Sequence, residues 1–201
     1  MADPRTDDEL MHAFARGDSD AFEVLYERYR KPIYRYLYHA VGEAATADDL
    51  YQDVWSRIID ARARFRRDRG FRRWAFRIAH NRLVDHWRAL ARQPAMQPEA
   101  TTPLPDEPAG GPEASASRDE QAERLRAALM QLPREQREAF LLRQEVGLSL
   151  AEIAERSGLG RETVKSRLRY ATARLKSLLN PTPEAAAAPQ ATGRLGSAEP
   201  S

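Results

Sequence analysis

Residues 148–179 read LSLAEIAERSGLGRETVKSRLRYATARLKSLL, and this stretch decides the fold class. Ser149 is a good helix cap, and the short helix after it buries Ile153 and Ala154. Gly158 supplies a tight turn, and a longer helix starts near Arg161 with Val164, Leu168 and Leu175 on its inner face. A short helix, a glycine-containing turn and a second helix with a polar start form a helix-turn-helix pattern. In that motif the second helix lies in the DNA major groove, so Arg161, Glu162, Thr163, Lys165, Ser166 and Arg169 are the candidate base readers. Arginine can bind guanine through two hydrogen bonds, and glutamate can accept from cytosine. Lys165, Arg167, Arg174 and Lys176 suit phosphate contacts, which position a protein without specifying sequence.

Upstream, Leu125, Ala128, Leu129 and Leu132 mark a helix, and Pro133 is expected at the first position of the next, which Gly147 closes. The amino-terminal part is helical too. Leu10, Ala13 and Phe14 form a short stripe; Asp18 or Ser19 caps a second helix with Phe22, Leu25, Tyr26, Tyr29, Ile33, Tyr36 and Leu37 at helical spacing. Pro32 is expected to kink or divide that helix. Thr46 is expected to cap a third, with Asp48 and Asp49 in its first turn and Leu50, Val54 and Ile58 buried. A fourth helix is expected from Phe71 to Leu90. The fold class is therefore all-α: two small helical domains, at 1–92 and 119–180, the second a helix-turn-helix domain.

Residues 93–118 hold 6 of the 13 prolines and almost no large apolar side chain, so they are expected to be a flexible linker. Residues 181–201 have a similar composition and are expected to be a disordered tail. The absence of cysteine rules out disulfides and Cys-based metal or nucleophile chemistry. His12, His39, His80 and His86 show no metal-ligand spacing, and no Walker loop, GxGxxG or GxSxG occurs. No catalytic residue, no metal and no cofactor is expected, so the chain is not expected to be an enzyme. No apolar run approaches the roughly 20 residues needed to cross a bilayer, and the polar amino terminus lacks a signal-peptide core. The expectation is a soluble cytoplasmic protein without membrane insertion.

A net charge of +2 conceals opposed blocks. Residues 1–56 carry 12 acidic and 6 basic side chains, residues 57–92 carry 12 basic and 3 acidic, and residues 160–180 carry 6 basic and 1 acidic. Two basic blocks on an acidic background suit a polyanion held at two points, although arginine-rich solvated helix faces account for charge alone equally well. The first block, ARARFRRDRGFRRWAFRIAHNRLVDHWR, interleaves arginine with aromatic residues, a composition suited to single-stranded nucleic acid. Spacing puts Trp74 in the core and leaves Phe65 and the loop arginines freer. Asn81 suits a base edge and a cap or core hydrogen bond equally.

Four segments in order, DDELMHAFARGDSDAFEVLYERY, ADDLYQDVWSRI, GFRRWAFRIAHNRLVDHWR and LPREQREAFLLRQEVGLSLAEIAERSGLGRETVKSRLRYATARL, resemble the conserved regions of extracytoplasmic-function (ECF) sigma factors. These are RNA polymerase initiation subunits that keep only the second and fourth sigma domains. The resemblance covers roughly residues 7–92 and 119–178. It implies an alternative sigma factor that binds core RNA polymerase and directs promoter recognition and melting, with promoter DNA as second partner. It assigns polymerase docking to Asp48, Asp49, Leu50, Gln52 and Asp53. Minus-ten recognition and melting fall to the region of Arg64, Phe65, Arg66, Arg67, Arg77, Asn81 and Arg82, where a flipped base would lie against the loop. The helix-turn-helix would read the minus-thirty-five element. Sigma factors of this kind are commonly held inactive by an anti-sigma factor; none is identifiable from this sequence.

The chain departs from the family pattern at Ala75, where Leu is common, at His80, where Arg or a small residue is frequent, and at Thr46, where an acid often opens the cluster. Phosphorylation of Thr46 would restore that charge, against the simpler expectation of an ordinary cap. The competing function is a stand-alone helix-turn-helix transcriptional regulator, which leaves the acidic helix followed by an aromatic-basic one unexplained.

Overall fold

The computed structural model describes residues 3–66, 70–92 and 112–180, with side chains of 112–119 excluded. Among these residues the chain forms eight α-helices and no strand: α1 (Asp7–Ala15), α2 (Ser19–Val41), α3 (Ala44–Asp60), α4 (Phe71–Arg92), α5 (Pro112–Met130), α6 (Arg134–Gln144), α7 (Leu150–Ser157) and α8 (Arg161–Leu179). A short 3-10 turn, Arg62–Arg64, follows α3. The all-α class is as expected. Within the stretch expected to be linker, residues 93–111 lie outside the described residues, as does the tail 181–201, while α5 begins at Pro112.

Local chemistry sets most helix ends. The Asp18 carboxylate accepts from the Ala21 N–H and opens α2, and Gly42 closes it in the left-handed conformation (φ 81°) that a side chain would resist. Pro32 does not divide α2, which runs unbroken through it. The missing N–H and ring clash cost about 3 kcal/mol. Tyr29, Ile33, Tyr36 and Leu37 on either side are buried, each gaining about 1.5–3 kcal/mol, so packing outweighs the break.

The start of α3 differs from the expectation. Glu43, not Thr46, is the N-cap, and the Thr46 hydroxyl donates to the Glu43 carboxylate from inside the first turn. The helix therefore begins earlier, and Asp48 and Asp49 lie beyond the first turn, where the helix dipole weakens. Pro133 likewise stands one residue outside α6, as its N-cap.

In the amino-terminal unit, α2 packs on α1, α3 and α4 around Leu10, Leu25, Ile33, Leu50, Ile58, Phe76 and Leu83. Aromatic edges fill the seam between α2 and α4: Tyr29 meets Phe71 at 4.9 Å, and Tyr36 meets Phe76 at 5.4 Å. Asp8 of α1 accepts from the Phe71 N–H at 2.6 Å, capping α4 from a distant part of the chain. The carboxy-terminal unit packs α5, α6 and α7 on α8 through Leu129, Leu132, Leu141, Leu142, Ile153, Val164 and Leu175. The two units also pack together, with α2 against α5 and α6.

Where they meet, His80 is buried, with the Tyr36 hydroxyl 3.3 Å from Nδ1 and a Glu138 carboxylate oxygen 3.5 Å from Nε2. Burial pushes His80 down to about 4, so at neutral pH the contact to Glu138 is not an ion pair. With the ordinary value of 6.5 in the unfolded chain, protons favour unfolding; the stabilisation is full above pH 6.5 and lost as pH falls towards 4. Burial also raises Glu138, which acts in the opposite sense. Urea unfolding should show stability falling between pH 6.5 and pH 4, and His80→Gln should flatten that fall. Equal slopes in the two proteins would contradict this account.

Candidate nucleic-acid interface

The first candidate surface sits where α3 ends and α4 passes behind it. Arg57, Asp60, Ala61, Arg64, Ile78 and Asn81 line an open cavity of about 340 Å³. Arg57, Asp60, Arg64 and Asn81 are exposed, and Ile78 is half-buried and forms an apolar wall. Asn81 is exposed in mid-helix and lines this cavity, so it neither caps a helix nor belongs to the core. The cavity thus combines an apolar face, a carboxylate, an amide and two guanidinium groups. That set suits a planar base carried on a phosphate backbone.

Phe65 does not stand free. It is 6% exposed and packs against His12 (5.4 Å), Trp74 (5.3 Å) and Phe71 (6.2 Å). Burying a phenylalanine among aromatic edges gains more than leaving it as an exposed stacking platform, so it anchors the loop rather than meeting a base. Trp74 is half-buried on the same cluster, as its spacing suggests. Arg66 and Arg77 are exposed, whereas Arg67 lies outside the described residues. Arg82 is engaged within the protein: its Nε and Nη2 donate to one oxygen of Asp53 at 2.8 and 2.5 Å, tying α4 to α3.

The acidic face of α3 forms a second surface. Asp49, Gln52 and Asp53 are exposed at i, i+3, i+4 spacing, with Asp48 half-buried beside them. Leu50 is 1% exposed and belongs to the core, so it cannot itself touch a partner. Because Asp48 and Asp49 fall outside the first turn, helix capping does not account for them, and a protein partner becomes the stronger explanation of the acidic face.

The third surface is the helix-turn-helix. Ser149 opens α7 with a reciprocal capping box: its hydroxyl accepts from the Glu152 N–H and the Glu152 carboxylate accepts from the Ser149 N–H. Gly158 makes the turn at φ 66°. Val164, Ala171 and Leu175 hold α8 against the core, which turns Arg161, Glu162, Thr163, Lys165 and Arg169 outward, with Ser166 half-buried. Two features escaped the sequence reading. Tyr170 is 54% exposed with the Arg169 guanidinium 5.0 Å over its ring, and Arg57 with Asp60 completes the cavity wall. The onset of the first basic block at Arg57 was the available signal for the latter.

Comparison with known proteins finds similarity across both units. Residues 25–93 match Sigma-70 region 2 and residues 122–175 match Sigma-70, region 4. The chain is 33% identical to the ECF RNA polymerase sigma factor SigM of Mycobacterium tuberculosis, over 87% of this chain and 85% of that one. It is 29% identical to the RNA polymerase sigma-H factor of Pseudomonas aeruginosa, over 90% of this chain and 97% of that one. Among solved structures, CnrH in complex with the cytosolic domain of CnrY superimposes with a TM-score of 0.58 at 26% identity, covering 86% of this chain and 96% of that one. The sigma factor RpoE from Bartonella quintana, solved with the anti-sigma factor NepR, shares the fold at 23% identity with a TM-score of 0.62, covering 79% of this chain and 96% of that one.

Truncating Phe65 to Ala should cost about 3–5 kcal/mol of stability, as for other buried aromatics, while Arg66→Ala should change it by less than about 0.5 kcal/mol. Chemical unfolding of both variants checks this; similar stabilities would show that Phe65 does not anchor the loop.

Proposed function

The chain belongs to the ECF RNA polymerase sigma factors and directs transcription initiation as an alternative sigma factor binding core RNA polymerase and promoter DNA; from this premise we propose how its surfaces divide the work. Asp48, Asp49, Gln52 and Asp53 on α3 dock the polymerase. Asp49, Gln52 and Asp53 are exposed, Asp48 is half-buried beside them, and capping does not explain the acids, which is the observation that supports this assignment. Arg64, Arg66, Arg77 and Asn81 face the minus-ten element, with an unstacked base entering the cavity beside Asp60 and Asn81. Removing a base from the stack costs a few kcal/mol, which contacts to the single strand must offset. Arg82 joins this surface only if a partner draws Asp53 away, since the two are paired in the free chain.

Arg161, Glu162, Thr163, Lys165, Ser166 and Arg169 read the minus-thirty-five element from the outward face of α8. The single observation that carries the reading is the coexistence, on one chain, of a helix-turn-helix and a separate basic cavity behind an acidic helix. A stand-alone regulator accounts for the first only. Sigma factors in general are not enzymes, and we assign this chain no catalytic residue, metal or cofactor. Among the described residues no helix is long and apolar enough to cross a membrane. We place the protein in the cytoplasm with its polymerase. The likeness to CnrH, solved in complex with the cytosolic domain of CnrY, supports a protein regulator that binds this chain, with an anti-sigma factor as the form expected from the family. Thr46 is half-buried with its hydroxyl held by Glu43, so its phosphorylation would first have to displace an acid.

Run-off transcription with core polymerase should give a promoter-dependent product, and its absence would sink this function. Asn81→Ala should lower open-complex formation on a duplex promoter more than on a premelted template; an equal loss on both would remove Asn81 from base capture. Arg169→Ala should weaken minus-thirty-five selectivity by about 1–3 kcal/mol if it makes a bidentate base contact, measured as competition between matched and mutated elements. Unchanged selectivity would remove Arg169 from the readers.

A further inference from the structure

Among the described residues, two large apolar side chains are left more than half exposed: Leu90 near the end of α4, at 52%, and Tyr170 on α8, at 54%. A single exposed leucine is ordinary on a protein surface. Tyr170 differs, because it stands among the candidate base readers. Ser166 lies one turn before it and Arg174 one turn after it on the same strip of α8. Arg167 and Arg169 flank it, and α8 carries no acidic residue beyond Glu162. An aromatic ring in a field of cations suits a polyanion that also offers an apolar spot. The major groove of DNA is such a surface, because each thymine presents its 5-methyl group there among the polar base edges.

The ring has a second contact. The Arg169 guanidinium lies 5.0 Å from the centre of the Tyr170 ring. Successive helix residues point about 100° apart, so the Arg169 side chain bends round α8 to reach it. A guanidinium over an aromatic face gains from the ring quadrupole, and its N–H groups, which lie at its edge, stay free to donate. Those are the donors that a bidentate contact to guanine uses. Tyr170 therefore reduces the freedom of a long side chain without occupying its hydrogen-bonding groups. From Glu162 to Tyr170 the outward face of α8 runs about 12 Å, the rise of three to four base pairs, so Tyr170 and Arg169 stand at the far end of the reading face.

We propose that Tyr170 is a specificity-determining residue of α8: its ring holds the Arg169 guanidinium in place for a guanine and packs its exposed edge against the 5-methyl of the neighbouring thymine. This deepens the reading that α8 faces the minus-thirty-five element, and it rests on that reading. The choice between pyrimidines follows from the chemistry of the ring. Thymine offers a methyl group at the site, whereas cytosine offers a hydrogen at that carbon and an amino group beside it, which an apolar ring edge would desolvate without giving it an acceptor. Tyr170 thus favours thymine by contact and disfavours cytosine by an unpaired donor.

The test uses holoenzyme assembled from the full chain and core polymerase, on minus-thirty-five elements that the unaltered holoenzyme selects from a randomised pool. The selected elements should hold a thymine beside a guanine. Replacing that thymine by uracil, which removes only the methyl group, should weaken binding several-fold. Tyr170→Phe keeps the ring and should retain this discrimination, whereas Tyr170→Ala should bind thymine and uracil alike. Tyr170→Ala should also relax the guanine preference, and the losses from Arg169→Ala and Tyr170→Ala should not add in the double variant. Thermal unfolding of Tyr170→Ala should match that of the unaltered chain, since the side chain is largely outside the core. Retained uracil discrimination in Tyr170→Ala, or weaker binding to core polymerase with unchanged base preference, would overturn the assignment. A loss of selectivity in Arg169→Ala but not in Tyr170→Ala would overturn it alone and leave α8 as the reader. No change of selectivity in either variant would overturn both.

Discussion

The buried face of α2 is the constraint on which the rest of the structure depends. Its residues Leu25, Tyr29, Ile33, Tyr36 and Leu37 meet α1, α3 and α4 within the first unit, and its last turns meet α5 and α6 of the second. Each of those side chains gains about 1.5–3 kcal/mol on burial, which is why the helix absorbs Pro32 without breaking. The same helix carries Arg35, His39 and its Gly42 terminus within its last two turns, where it meets the second unit. A single rigid element therefore positions α3 and α4 relative to each other, and so shapes the cavity between them. It also provides the surface on which the helix-turn-helix unit rests.

Charge is distributed in accord with that scaffold. The acidic excess of the amino-terminal stretch is divided: Asp7 and Asp8 serve the fold through Arg28 and the start of α4, while Asp49 and Asp53 stand exposed on α3. The basic excess of α4 divides in the same way. Arg77 points outward, Arg82 is held by Asp53, and Arg72 and Arg73 reach the second unit. Charges that a linear count assigns to nucleic acid are thus partly committed inside the free chain. Exposed pairs such as Arg82–Asp53 are each worth about 1 kcal/mol or less, so a polyanion or an acidic partner surface can exchange them readily.

Much of this was legible in the sequence because it depends on near neighbours. The caps Asp18 and Ser149, the terminating glycines Gly42 and Gly158, and the apolar stripes of α2, α3 and α8 all follow from residues within one or two turns. What escaped depends on partners far along the chain. Phe65 reads as a loop aromatic until His12 and Trp74 close over it. The start of α3 is a local exception: Thr46 is a residue type that suits a cap, yet the helix starts at Ala44 and the Thr46 hydroxyl donates to Glu43 three residues back. Leu50 matches the docking motif and the buried stripe at once, and burial decides between them. The hydrogen bonds from Arg35 to Glu145 had no local signal, since the two residues lie in different units.

The central claim is that one chain, acting with core polymerase, reads two separated promoter elements through two different surfaces. Hydroxyl-radical footprinting of promoter DNA, with the protein alone and with core enzyme added, tests this most directly. Two protected stretches, at the minus-ten and minus-thirty-five elements, should appear only when core polymerase is present. A single footprint that forms equally well without polymerase would contradict the account.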